Sequence, residues 1–438
     1  MYIMNRVNTR QVSKVPQDPD NVYLDLIVTN ITSSGTPPVA INFNENRNTP
    51  VISNTGKYNL SIVRFSLETQ TLPVFIPVIQ PNQANPDLTV YSVTLQVTVP
   101  ASPVTPASGL TFTQQTFINW NPQYTLATTP SPPSANPNGL QSDSGEYYFC
   151  FSFTWWCNLI LQTMSDCFVA LRLQLSSAPY SLTTAQIDAI VGLVPPLIQF
   201  NPDNQTCSLS CPSPFFDSFT IPTSPPYTPV VNPNAVKLFF NAPLFNLFSS
   251  FPAQLTSFTQ PLGATFQILV SPFGGANQII YPTTGSIIIV PPATTPTAFL
   301  YTQVFQEYST IQNWTPVSSI VFTTSTIPVI PNQLSSPLIF AEGNILSNTS
   351  GNNSNFQLVL TDLESGEVCY KPNLQYSPTA EYRRIALTGS SPLSNIQLSV
   401  FWRNKLGNLI PFYLGSGSSA TVKFLFTKVS AIYGEEED

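Results

Sequence analysis

From Asn21 to Val28, apolar Val22, Leu24, Leu26 and Val28 alternate with Tyr23, Asp25 and Ile27, and Asn30 with a Ser-Gly-Pro loop closes the run. Successive side chains of an extended chain point to opposite faces, so a two-residue period predicts a strand with one face in a core. Lys57–Glu68 carries Leu60 and Ile62 on one parity and Val63, Phe65 and Leu67 on the other, which predicts a strand buried on both faces. Leu88–Val99 alternates again, with Tyr91, Val93, Leu95 and Val97 set against Val90, Ser92, Thr94 and Gln96.

Between Thr154 and Leu173 the period changes. Asn158, Gln162 and Asp166 recur every fourth residue, while Trp155, Trp156, Leu159, Ile160, Leu161, Met164, Phe168 and Leu171 fill the other faces. One narrow polar stripe on a wide apolar surface predicts a mostly buried helix. A second, shorter helix is expected from Thr184 to about residue 193, with Thr183 and Gln186 as a capping box and Pro195-Pro196 as its stop. Residues 100–141 form a Pro/Ser/Thr/Asn tract that reads as a long exposed loop. Beyond Pro196 the chain returns to short runs such as VKLFFN, GSIIIVPP, SSIVFTTS, NIQLSVFWRN and ATVKFLFTKV, with Leu406-Gly407-Asn408 as a hairpin turn. Many short strands joined by Pro- and Gly-rich turns predict an all-β, antiparallel sandwich or barrel.

One phrase occurs twice. SIVRFSLETQTLPVFIPVIQP (Ser61–Pro81) and SIVFTTSTIPVIPNQ (Ser319–Gln333) each run a strand into Thr-Leu-Pro or Thr-Ile-Pro. Proline withholds a ladder donor, so Pro73 and Pro328 are expected to end strands, both in one domain. Two complete barrels, each with its own copy, is the competing arrangement.

Charge sharpens this picture. Only 8% of residues are Asp, Glu, Lys or Arg, against roughly 25% in typical soluble domains. So sparse a coat suggests a surface covered by other copies or other proteins. The net charge of −7 is concentrated at the acidic tail 431–438, which ends in Glu435–Asp438. The arm 1–20 holds Arg6, Arg10 and Lys14 and reads as flexible, with genome contact as its alternative role. It lacks the apolar core of a secretory leader, and no apolar run reaches the ~20 residues of a membrane span.

Chemistry is nearly absent. The chain has no histidine, which removes the usual general base, the commonest metal ligand and every Ser–His or Cys–His pair. Paired carboxylates are conceivable, for example Asp362 with Glu364 and Glu367, but TDLESGEVCY reads as a polar turn after a strand. Tyr147, Tyr148, Phe149, Phe151, Phe153, Trp155 and Trp156 read as core where a strand meets a helix, with a sugar platform as the alternative. Arg383-Arg384 reads as a structural or inter-subunit ion-pair site rather than a phosphate site. The six cysteines, Cys150, Cys157, Cys167, Cys207, Cys211 and Cys369, are expected as free buried thiols, with a local Cys207–Cys211 bridge left open. No catalytic residue, metal ligand or cofactor is assigned.

Several phrases in order carry a resemblance: YNLSIVRFSLETQTLPVFIPVI, EYYFCFSFTWWCNLILQTM, KLFFNAPLFNLFSSFP, WTPVSSIVFTTSTIPVIP, SPTAEYRRIAL and IQLSVFWRNKLGNLIPFYL. Together they resemble the penton (minor capsid) proteins of virophages and polinton-like viruses, over roughly Asn21 to Lys428. The resemblance implies an antiparallel jelly-roll sandwich, residues 21–100 plus 310–430, with a large, mostly β insertion at 101–309. It also implies a non-enzymatic virion protein, assembled inside an infected host cell. Its partners would be its own copies in a homopentamer at the five-fold vertices, trimers of the major capsid protein, and other minor capsid proteins. The competing functions are a double jelly-roll major capsid protein and an outward spike that binds a receptor or glycan.

Overall fold

The computed structural model describes residues 19–30, 39–81, 84–99, 110–123, 146–177, 181–216, 219–221, 230–232, 236–257, 263–270, 288–290, 299–330, 340–341, 344–345, 358–364, 373–376 and 384–433. The arm 1–18, the carboxylate Glu367, Arg383, Cys369 and the acidic end lie outside them. One unit is built from the ends of the chain, Met1–Thr71, Ser318–Ala341 and Ile345–Asp438, and the other from its middle, Leu72–Val317 with Glu342–Asn344.

Among the described residues the ends supply eight principal strands: β1 Asn21–Thr29, β2 Asn42–Asn46, β3 Tyr58–Glu68, β4 Val317–Thr324, β5 Leu358–Glu364, β6 Asn373–Tyr376, β7 Asn395–Asn404 and β8 Ser419–Lys428. All pairing is antiparallel, and it is nested: β1 with β8, β2 with β7, β3 with β6, β4 with β5. A chain paired this way is one long hairpin. Rolling it up gives sheets ordered β1-β8-β3-β6 and β2-β7-β4-β5, which is the jelly roll. The middle unit occupies the connection between β3 and β4.

The core lies between the sheets. From β3 come Tyr58, Leu60, Ile62, Phe65 and Leu67, from β8 Val422, Phe424 and Phe426, and from the facing sheet Ile320, Phe322, Leu398, Val400 and Trp402, all buried. Phe65 and Phe322 meet with ring centroids 5.1 Å apart. The two-faced burial expected of β3 does not occur. Its register with β8 shifts so that Arg64 pairs Lys423 and Ile62 pairs Phe424, leaving Val63 as an extra residue. That bulge switches the parity, so Ile62 and Phe65 both turn inward.

The two repeated phrases lie in strands of this one roll, β3 and β4, so the arrangement of two barrels is excluded. Their prolines part company. Beyond β4, Thr324 Oγ1 accepts from the amides of Thr326 and Ile327, and Pro328 O accepts from Thr388 N at 2.7 Å, so this corner stays in the end-built unit. Beyond β3, Pro73 belongs to the middle unit, where Val74 N donates to Cys150 O at 2.8 Å. The expectation that both prolines sit in one domain is therefore corrected.

In the middle unit a five-stranded sheet runs Ala253–Ser257, Ala264–Ile268, Lys237–Asn241, Leu88–Val99, Leu110–Asn119. A four-stranded sheet runs Ile288–Val290, Phe299–Phe305, Thr206–Pro212, Leu197–Asn201. Leu88–Val99 thus pairs inside the middle unit, although its place in the sequence groups it with the first strands. Leu110–Asn119 is a strand inside the tract read as a loop, because Phe112 and Ile118 bury while threonines and glutamines take the ladder.

Helix α1, Phe153–Ser176, starts where Ser152 caps Trp155 N and packs against both sheets. Its exposed stripe holds Asn158, Gln162 and Asp166, as the period predicts. Cys167 Sγ donates to Val93 O and Gln114 O on the five-stranded side, and Cys157 meets Cys207 on the four-stranded side. Helix α2, Thr184–Val191, carries the expected capping box and ends at Gly192, whose φ of +85° places it in the region that favours glycine.

Candidate functional site

Asp362 and Glu364 lie two apart on β5, paired with Val321 and Ser319, so the strand takes in the first four residues of the segment read as a turn, and the rest of that segment lies outside the described residues. Among the described residues no group of His, Cys, Asp or Glu has the arrangement of a metal site. Arg172 on α1 donates to the Asp188 carboxylate and to Gly192 O, tying α1 to the end of α2.

Of the aromatic cluster, Tyr147, Tyr148, Phe149 and Trp156 are core, and Phe151, Phe153 and Trp155 are half-buried. Trp156 is fully buried, 4.5 Å from Phe75 and 5.3 Å from Tyr91 between ring centroids, and Phe153 and Phe248 flank Trp314 at 5.6 and 5.0 Å. Tyr147 Oη donates to Asp87 Oδ1 at 2.7 Å and Tyr148 Oη to Pro86 O at 2.8 Å. Burial holds the Tyr148 phenol up to about 12, with the nearby Asp87 charge adding to it, and burial takes Tyr91 to about 12 against a hydrogen bond to the Val78 backbone that lowers it. A stacking platform for sugars needs open ring faces, and Tyr147, Tyr148 and Phe149 have none to offer.

The thiols are equally withdrawn. Burial raises Cys150 to about 12 and Cys167 to about 11, and drives Cys211 well up. A protonated, enclosed thiol is a poor nucleophile. Cys207 and Cys211 stand four apart on one extended strand, about 13 Å along it, so the local bridge is sterically excluded.

What remains is surface. Among the described residues strand β1 is a sheet edge, and its outward geometry follows from its register. Lys428 N donates to Asp20 O and Asn30 N to Ser418 O, so even-numbered residues bond to β8. Asn21, Tyr23, Asp25, Ile27 and Thr29 therefore turn both backbone groups away from the sheet. The same residues are exposed, Tyr23 at 60% and Ile27 at 65%. The protection is slight: Lys423 bonds Asp25 at 3.3 Å and lies over the Tyr23 ring at 5.4 Å. An edge of this length with apolar side chains is a ready surface for a neighbouring chain. Sequence reasoning read the alternation here but missed the edge, because edge position is a property of the finished sheet.

A jelly roll carrying a large unit between its third and fourth strands, this chain matches a model of the Sputnik minor capsid protein V18/19 family over residues 22–428. The chain belongs to this family. It is accordingly a virophage-type minor capsid protein, a structural component of the virion. Among the relatives of this minor capsid protein, "Uncharacterized protein V18" of the Sputnik virophage is 27% identical over 154 residues, 35% of this chain and 84% of V18. "Structural protein V19" of the same virophage is 24% identical over 196 residues, 44% of this chain and 82% of V19. Two solved structures share the fold. A chain of the Sputnik virophage cryo-EM structure has a TM-score of 0.64 at 23% identity, covering 94% of this chain and 99% of that one. The mavirus penton protein has a TM-score of 0.54 at 13% identity, covering 94% and 100%.

Proposed function

We propose that this minor capsid protein is a penton: five copies close a ring at each five-fold vertex and contact the surrounding major capsid protein trimers. The observation that carries the reading is the jelly roll interrupted between β3 and β4 by Leu72–Val317, in a fold shared end to end with the mavirus penton protein. The roll is the part that sits in the shell, and the middle unit is the insertion that distinguishes the vertex. The role needs rigid walls, and the chemistry described above is structural throughout.

The β1 edge is a natural seat for a neighbour. A ring needs a heterologous contact whose rotation closes, and an edge strand supplies one half of such a contact. Native mass spectrometry of the purified full chain, together with imaging of assembled particles, tests the proposal. Five copies per ring and density for this fold at the vertices are expected. A trimer that tiles the capsid faces would overturn it in favour of a major capsid protein.

A further inference from the structure

We propose that Cys157 and Cys207 are the site of a disulfide that forms when the chain folds under oxidising conditions, binding helix α1 covalently to the strand Thr206–Pro212. The two Sγ atoms are 3.7 Å apart in the core of the middle unit. A disulfide needs about 2.05 Å, so each sulfur moves by under ~1 Å, within reach of small side-chain rotations. The approach is selective. Cys150 Sγ donates to Ser152 O at 3.1 Å, and Cys167 Sγ is held by Val93 O and Gln114 O on the other sheet. Cys211 is buried on the same strand as Cys207 but one long step away.

Neighbouring bonds hold the partners in place. Cys207 N donates to Gln306 Oε1 at 2.6 Å, and Gln306 N donates back to Cys207 O at 3.2 Å. Cys157 sits in the second turn of a capped helix. Both thiols are almost without solvent exposure, 2% and 1%, and each presses on the other as a hydrogen-bond partner, which keeps Cys157 protonated. The folded, reduced protein is therefore slow to oxidise, and the bond closes during folding or opening of this unit.

With oxidised glutathione as the oxidant, the thiolate of one cysteine attacks the glutathione disulfide, forming a mixed disulfide and releasing one glutathione thiolate. The thiolate of the other cysteine then attacks the protein-side sulfur and releases the second. One S–S bond breaks and one forms, two electrons pass to glutathione, and the two protein thiol protons end on the two reduced glutathiones.

The test is to refold the full chain in a buffer of reduced and oxidised glutathione, and in parallel with reductant alone, then map disulfides in unreduced digests. A linked peptide pair carrying Cys157 and Cys207 is expected. The oxidised protein should melt on the order of 5–10 °C above the reduced one. Cys211→Ser should keep the link, and Cys157→Ser or Cys207→Ser should abolish it. Wild-type mapping decides alone if a variant fails to fold. Free thiols at both positions after oxidative folding, a different pairing such as Cys150–Cys157, or a linked form melting no higher than the reduced one would each overturn the proposal.

Discussion

The end-built jelly roll and the middle unit hold themselves together by different means. The roll is a layer of apolar side chains between two sheets, with polar pins at the strand ends. Gln397 is the chief pin: its Nε2 donates to Asn42 Oδ1 at 3.1 Å and to Ser399 Oγ at 2.6 Å, and its Oε1 accepts from Ser325 N at 2.8 Å. The middle unit wraps two sheets around a helix and places phenols and thiols inside. In the middle unit Tyr91, Tyr147, Tyr148, Cys150, Cys157, Cys167 and Cys211 all have their titration pushed up. The difference teaches that one chain can join an apolar sandwich to a helix-filled unit whose buried phenols and thiols make it sensitive to high pH.

The sharpest way to break the comparison is Phe322→Ala. It removes the ring that meets Phe65 across the roll and should cost about 3–5 kcal/mol, seen as a lower urea midpoint for the roll. If the tryptophan signal of the middle unit falls in the same step, the two units do not unfold separately.

Alkaline titration comes next. Unfolded thiols and phenols ionise near pH 9 and 10, whereas Cys167 holds its proton to about 11 and Cys150, Tyr91 and Tyr148 to about 12. The unfolded state therefore loses protons first, and the stability these groups add is whole below pH 9 and lost as the pH climbs to 12. Trp120, Trp155, Trp156 and Trp314 lie in the middle unit and Trp402 in the roll. Fluorescence of a Trp402→Phe variant should report early alkaline unfolding. A transition independent of pH between 8 and 11 would contradict this assignment.

A matched pair sharpens the comparison further. Asn241 Oδ1 accepts from Ser92 N at 3.0 Å and Leu244 N at 3.3 Å, while its Nδ2 donates to Val90 O at 2.7 Å. Asn241→Ala and Gln397→Ala each strand backbone partners and should cost about 1–3 kcal/mol, each lowering the denaturation midpoint of its own unit. Thr183→Ala is the smallest expected effect, about 1 kcal/mol from the lost cap of α2, read as a slightly lower melting temperature.

Legibility followed the range of the interaction. Helices α1 and α2 were visible because a four-residue stripe and a capping box are local. The alternation of β1 and β8 was visible for the same reason. The bulge at Val63 was hidden: an extra residue changes parity only when a partner strand fixes the register. The strand Leu110–Asn119 was hidden among prolines, since its threonines and glutamines look like loop until Leu88–Val99 offers them a ladder. Cys157 and Cys207 were individually visible as buried thiols, but fifty residues separate them. The alternation of β1 was legible, whereas its place at the edge of the sheet was not.

By itself, then, the sequence determined the fold class, the two helices, the absence of histidine and the sparse charge. These depend on residue type and short periods, which a chain carries wherever it goes. Only the tertiary structure decided that β3 and β4, both ending in a Thr-x-Pro phrase, belong to one roll. Only it decided that Pro73 leaves the roll while Pro328 stays. Pairing across hundreds of residues is set by which apolar faces close on each other, and that choice exists only once the whole core has formed.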